Sequence, residues 1–236
     1  MKYTGSLVSK EREEIFKLFL DRFRLKFNEI EKAIKIRSNK LAYHINKMQK
    51  EGLVEKKNEY YLLTKNAEKY LPIFSNIIGR ELSPTPIILV ALVNQDKILL
   101  IKRNRRPYKN YWSMIGGKML LEESFKEASA RQVKEKTSIE GRYTSINSIL
   151  HERIKNKGTI KYSFILFFTK ILTNRLNFSE TEHGKLRWFK LKNIERQKII
   201  PSDLWLIKNK LNSKIDAKSI FMSEDKSRLS NLRFIV

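Results

Sequence analysis

Tyr111-Trp-Ser-Met-Ile-Gly-Gly-Lys-Met-Leu-Leu-Glu-Glu-Ser124, continuing through Arg131-Gln-Val-Lys-Glu-Lys-Thr-Ser-Ile139, decides how the chain is read. The pattern predicts a strand, a tight turn at Gly116-Gly117 where a Cβ would clash, and then a helix. Glu123, Glu127, Arg131 and Glu135 recur every four residues and so line one side of that helix.

The segment resembles the Nudix box, whose pattern is G-x5-E-x7-R-E-U-x-E-E-x-G-U with U apolar. Gly117, Glu123, Arg131, Val133, Glu135 and Ile139 stand where that pattern asks. Gln132, Lys136 and Ser138 stand where it asks for Glu, Glu and Gly, and Ile115 replaces a usual proline. Lys102-Arg103 and Trp112 upstream also look like the family. The resemblance implies a Nudix-like α/β/α sandwich with a mixed sheet. It also implies a helix face of three glutamates at i, i+3 and i+4, holding magnesium ions that bridge a diphosphate and activate water. Magnesium wants hard, preferably anionic oxygen ligands. The corresponding face here is Gln132 (neutral), Glu135 (−1) and Lys136 (+1), so three negative charges become none. A protonated lysine offers no lone pair.

Three readings follow. In the first, the fold keeps its pocket without the metal cluster. In the second, hydrolysis persists with Mg as cofactor. Glu135 then remains a metal ligand and catalytic group, and carboxylates relocate to Glu122, Glu123 and Glu182. In the third, Lys136 takes the place of the metal and holds a ligand phosphate directly. Around the box, Arg103, Arg105, Arg106, Gly117, Glu123, Arg131, Gln132 and Lys136 form the expected ligand-binding set. The arginines can clamp phosphate bidentately or can be a basic surface loop. Glu182, in the acidic segment before Leu186-Arg-Trp-Phe-Lys-Leu191, corresponds to a further carboxylate in relatives; a solvated loop acid is the plainer reading.

Working outward, Ile87–Val93 is apolar on both faces and predicts a buried central strand. Lys97–Lys102, Tyr143–Glu152 and Thr159–Leu172 predict further strands, the last two joined at Lys155–Gly158. A helix is expected over Ser202–Asn212, packing through Leu204, Trp205, Ile207 and Leu211. The tail Ser219–Val236 suits an added strand on the sheet edge or a dimer contact.

Toward the N-terminus, helices are expected from Ser9 (Ile15, Phe16, Phe19 and Phe23 inward), over Asn28–Ile36 (Ile30, Ala33 and Ile34 inward), and from a Ser38 cap to Glu51. Two short strands meet near Asn58, and Thr64 opens a fourth helix toward Leu71 or Gly79. This order is similar to a winged helix-turn-helix. The expected fold class is therefore α+β: a winged helix-turn-helix with linker over 1–82, then the Nudix-like unit over 83–236, with Glu81–Pro86 as the boundary. The resemblance implies that the third helix enters the major groove of double-stranded DNA. Arg37, Ser38, Asn39, Lys40, Tyr43, His44 and Lys47 are then the DNA-binding candidates, with Lys56 and Lys57 at the wing. Exposed lysines on a helix are ordinarily just solvated.

Composition sets the outer bounds. The 236 residues carry a net charge of +24 and no cysteine, which excludes disulfides and thiolate metal sites. No apolar run is long enough to span a bilayer and no signal pattern is evident, so a cytoplasmic protein without a membrane partner is expected. Of the 49 basic and 25 acidic residues, 18 and 11 fall in 1–82, leaving 31 and 14 in 83–236. The excess favours polyanions and is not confined to the first unit. The leading expectation is a homodimeric transcription regulator whose Nudix-like unit senses a phosphorylated or nucleotide-type metabolite; proteins joining the two kinds of domain as regulators are known. The alternatives are a Mg-dependent hydrolase of nucleoside diphosphate derivatives and an RNA-associated or scaffold protein.

Overall fold

The computed structural model describes residues 9–68, 70, 83–225 and 228–235. The chain divides into two compact units between Ser83 and Pro84.

The first unit contains α1 (Lys10–Asp21), β1 (Leu25–Lys26), α2 (Phe27–Ile34), α3 (Ser38–Lys50), β2 (Val54–Lys57), β3 (Tyr60–Leu63) and α4 (Lys65–Glu68). The strands form an antiparallel sheet in the order β1-β3-β2. One core closes the unit: Ile15, Phe16 and Phe19 of α1 meet Leu25, Ile30, Leu41, Ile45, Met48, Val54 and Leu63. The helical spacings of three and four place these side chains on single faces. Asn58 sits at φ +56 in the β2–β3 turn, a conformation asparagine tolerates better than most residues.

Four details differ from expectation. Phe23 is 82 % exposed, because α1 ends at Asp21 before reaching it. Ala33 is exposed, and Ile30 is the residue of α2 that the core buries. Ser38 does not cap α3: Arg37 is the N-cap residue, and the Ser38 hydroxyl donates to Glu31. β1 was not expected at all. The fourth helix's continuation toward Leu71 and Gly79, and the boundary residues Glu81 and Leu82, lie outside the described residues.

The second unit is built on one mixed sheet. Its strands are β4 (Thr85–Asn94), β5 (Lys97–Arg103), β6 (Trp112–Ser113), β7 (Ile115–Lys118), β8 (Arg142–Asn156), β9 (Thr159–Leu172) and β10 (Gly184–Lys190). The main order is β10-β5-β4-β9-β8, with β6 on β5 and β7 on β4. β4 and β9 run parallel and the other pairs antiparallel. β4 is buried on both sides, as its unbroken apolar run requires. Ile88, Val90 and Leu92 face Ala128 and Val133 of α5 (Phe125–Thr137). Leu89, Ala91 and Val93 face Leu206 and Ile207 of α6 (Pro201–Lys210). The result is a helix–sheet–helix sandwich. Trp112 packs edge-on against Phe189 with ring centroids 4.8 Å apart.

Trp205, expected in the core, is 46 % exposed because α6 commits its neighbours Leu206 and Ile207 inward. The tail does not extend the main sheet. β11 (Ser219–Asp225) and β12 (Arg228–Ile235) pair with each other as a separate two-stranded sheet.

Candidate functional site

Gly116 and Gly117 do not form a turn. Both lie within β7, paired with Leu89 and Ile88 of β4. What glycine permits here is close approach. A Cβ on Gly116 would collide with the Ile88 carbonyl, and one on Gly117 would lie 2.6 Å from Gln132 Oε1. The bare backbone lets Gln132 and Lys136, from the second half of α5, come onto the strand.

α5 starts with a full capping box, in which Ser124 accepts from the Glu127 amide and Glu127 accepts from the Ser124 amide. Arg131 then gathers the preceding loop. Its guanidinium binds both oxygens of Glu123, with Nη2 at 2.8 Å from Oε2, the Lys118 carbonyl at 3.1 Å and Glu135 at 3.1 Å. Glu123 also accepts from the Leu120 amide at 2.8 Å. The Arg131 hydrogen bonds hold the Glu123 carboxyl below its ordinary range. Glu123 and Arg131, expected to bind ligand, are thus engaged in shaping the loop.

Gln132 is buried; its Nε2 donates to the Lys118 carbonyl at 3.3 Å, and its Oε1 has no hydrogen-bond partner. One turn on, the Lys136 ammonium donates to the Gly116 carbonyl. Burial, with Arg103 adding repulsion, pushes Lys136 down from 10.5 to about 8. The face therefore presents one carboxylate, Glu135, already tied to Arg131, beside a half-buried cation. Among the described residues no three His, Asp or Glu groups converge to hold a metal. Glu182 pairs with Arg105 at 3.8 Å and is mostly exposed. It does not join Glu123 in a relocated set. These residues do not fit a magnesium cluster.

Lys136, Gly116 and Gly117 line a cavity of about 310 Å³. Arg103, Arg105 and His183 add basic and imidazole groups; Ile87, Leu89, Phe164 and Leu166 form apolar wall. Arg106 is exposed and is not part of the lining. Arg103 is positioned by its Nε donating to the Pro107 carbonyl at 2.9 Å. The volume and the mixed lining suit a small organic ligand with an anionic group.

Three lining residues escaped the sequence reading. Asp203 is buried, accepts from the Met114 amide at 2.7 Å, and is pushed up to about 7 by desolvation. Glu152 accepts from Tyr108 Oη at 2.7 Å and from the Ser202 hydroxyl. The Tyr108 hydroxyl is driven upward, mainly by burial and then by Glu152. Asp203 follows Pro201 in a helix's first turn, where an acid ordinarily reads as a dipole partner. Only the tertiary fold carries it to the cavity.

In the first unit, Arg37, Ser38, Asn39, Lys40, Tyr43 and Lys47 are exposed along α3. Lys40 is paired with Glu11. His44 is turned inward and only 6 % exposed, because it shares the face of Leu41, Ile45 and Met48. Burial lowers its basicity, so it leaves the set of candidate base-contacting residues. Lys56 lies 5.6 Å over the Tyr61 ring, and Lys57 pairs with Glu55 at 2.7 Å; both are exposed on β2.

The NUDIX domain family matches residues 83–208, over half of the chain. The uncharacterized Nudix hydrolase YvcI of Bacillus subtilis is 30 % identical over 113 residues, spanning 48 % of this chain and 70 % of that protein. Among solved structures, the NUDIX domain of Shewanella oneidensis NrtR complexed with ADP ribose superposes with TM-score 0.50 at 17 % identity, covering 62 % of this chain and 96 % of that one. A mutator MutT protein from Bacillus halodurans gives TM-score 0.48 at 24 % identity, over 63 % of this chain and 96 % of that one. No helix among the described residues is long and apolar enough to cross a membrane. The match of residues 83–208, the sandwich and the box residues around Gly117 and Arg131 together establish that this chain belongs to the Nudix family.

Proposed function

We propose that this protein is a DNA-binding transcription regulator whose Nudix unit binds a phosphorylated or nucleotide-type metabolite without cleaving it. The observation that carries the reading is Lys136, whose half-buried ammonium rests on the Gly116 carbonyl at the cavity wall. A fixed cation in the position of the family's metal can hold a phosphate oxygen through a charge-assisted hydrogen bond. It cannot supply a metal-bound water. Arg103, the last residue of β5, and Arg105, in the loop that follows, provide further phosphate donors in the cavity lining. The ADP ribose bound by the NrtR domain supports a nucleotide-type ligand for this sandwich.

The DNA-binding part rests on the first unit. Three helices followed by a small hairpin, with a three-stranded β1-β3-β2 sheet, support a winged helix-turn-helix. α3 is its recognition helix, and Asn39 and Lys40 its candidate base readers. A sensor requires different ligand affinities in its DNA-competent and DNA-incompetent states. Helix-turn-helix readers usually engage paired half-sites, which favours a homodimer.

The test is a panel of nucleoside diphosphates, nucleotide sugars and dinucleotides, scored for thermal stabilisation and for Mg²⁺-dependent cleavage, alongside DNA mobility shift with and without the stabilising compound. Stabilisation without cleavage, with altered DNA affinity, supports the regulator. Turnover at about 1 s⁻¹ or faster that disappears in Glu135→Gln replaces it with the hydrolase.

A further inference from the structure

β8 and β9 run on past the body of the sheet. β4 first meets β9 at the Thr85–Phe164 pair, so Thr159–Ser163 have no β4 neighbour. β8 is the edge strand, and there the two strands pair only with each other, down to Asn156 opposite Thr159. The result is a projecting two-stranded ribbon. Exposure alternates along β8: Arg153 and Lys155 face solvent, whereas Glu152 and Ile154 turn inward. Lys161 falls at the register shift of β9 and is also exposed.

The charge on this ribbon has one sign. Residues 153–161 include Arg153, Lys155, Lys157 and Lys161 and no acid. The nearest carboxylate, Glu152, is occupied by Tyr108 and Ser202. No described carboxylate pairs with any of the four cations, whereas Lys134, Lys208 and Lys26 elsewhere each hold a partner. The turn adds a second observation. Lys157 and Gly158 both have positive φ, at +47 and +82. That is the two-residue hairpin turn whose first position favours Asn, Asp or Gly. A lysine stands there instead and adds a cation to the tip.

We propose that the exposed face of this ribbon contacts the phosphate backbone of duplex DNA. Alternate strand residues lie about 7 Å apart, so Arg153 and Lys155 can reach separate phosphates along one strand. A two-stranded ribbon also fits the width of the major groove. The contact carries no sequence information. It shares with the function proposed above the premise that the chain binds duplex DNA, but does not depend on base reading by α3.

The experiment is fluorescence anisotropy of the full chain on a 30-base-pair duplex of arbitrary sequence, titrated in KCl. Each phosphate contact contributes about 0.9 to the slope of log K against log salt. The combined Arg153→Gln, Lys155→Gln and Lys161→Gln variant should lower that slope by about 3. Lys157→Asn should lower it by at most about 1 while leaving thermal stability equal or higher, which guards against misfolding as the cause. An unchanged slope in the triple variant, with the wild type still binding, overturns the ribbon contact and leaves the regulator reading standing. Failure of the wild type to bind any duplex overturns both. Loss of binding to phosphatidylserine vesicles with DNA binding intact assigns the ribbon to a membrane surface and likewise overturns the proposal.

Discussion

Replacing Lys136 with methionine pulls stability and ligand affinity in opposite directions. Lys136 is half-buried, and burial pushes its ammonium down from 10.5 to about 8, so the fold disfavours its charge. At about 1.4 kcal/mol per unit, that is roughly 3 kcal/mol against the charged form at neutral pH. Methionine fills similar space without the charge. Against this gain stands one charge-assisted hydrogen bond to the Gly116 carbonyl, worth about 1.5–3 kcal/mol; the carbonyl borders the cavity, where water can replace the donor. The net expectation is a stability increase of up to about 1.5 kcal/mol. A phosphate held by Lys136 would meanwhile lose a charge-assisted bond of about 1.5–3 kcal/mol, or roughly ten- to hundredfold in Kd. Urea unfolding at pH 7 reads the first quantity and isothermal titration with a nucleoside diphosphate the second. Unchanged ligand affinity would refute the role given to Lys136, and a loss of stability would refute the picture of a cation kept for binding at the expense of the fold.

Two further outcomes are expected. Gly117→Ala puts a methyl into the Gln132 amide, 2.6–2.8 Å from its three terminal atoms. Overpacking of that kind costs about 1–3 kcal/mol, so calorimetry should show a melting temperature several degrees lower. Asp203 has a folded value near 7 against an ordinary 3.8. The folded state keeps a proton that the unfolded chain releases, so stability should fall as pH rises from about 4 to about 7. Denaturant unfolding across that range should show a flatter profile in Asp203→Asn, and an unchanged profile would remove Asp203 as its source.

Much of this architecture is legible because helical and strand periodicities report burial directly. Leu41, Ile45 and Met48 marked the inner face of α3, and Ile87–Val93 marked the central strand. The same periodicity would have excluded His44 from the DNA-facing set, since it lies three residues from Leu41 on the inner side. Gly116-Gly117 misled because adjacent glycines ordinarily signal a turn. Their reason here is a cross-strand carbonyl and a side chain on α5, distances that no local pattern encodes. Trp205 misled in the other direction, because a large aromatic beside Leu206 and Ile207 reads as core, although one helix face cannot bury all three. On the box helix, the exchange of two glutamates for Gln132 and Lys136 was visible as a charge change. That Lys136 settles onto Gly116, and that Arg131 takes both Glu123 and Glu135, required the fold. Asp203 and Glu152 reach the cavity from α6 and β8, far apart in sequence, and nothing nearby in the chain announces them.

Isothermal titration of the full chain with one stabilising nucleoside diphosphate, first in EDTA and then in millimolar Mg²⁺, tests the central claim most directly. A lysine serving as the cation predicts the same Kd in both buffers. Binding that appears only with Mg²⁺ would contradict it.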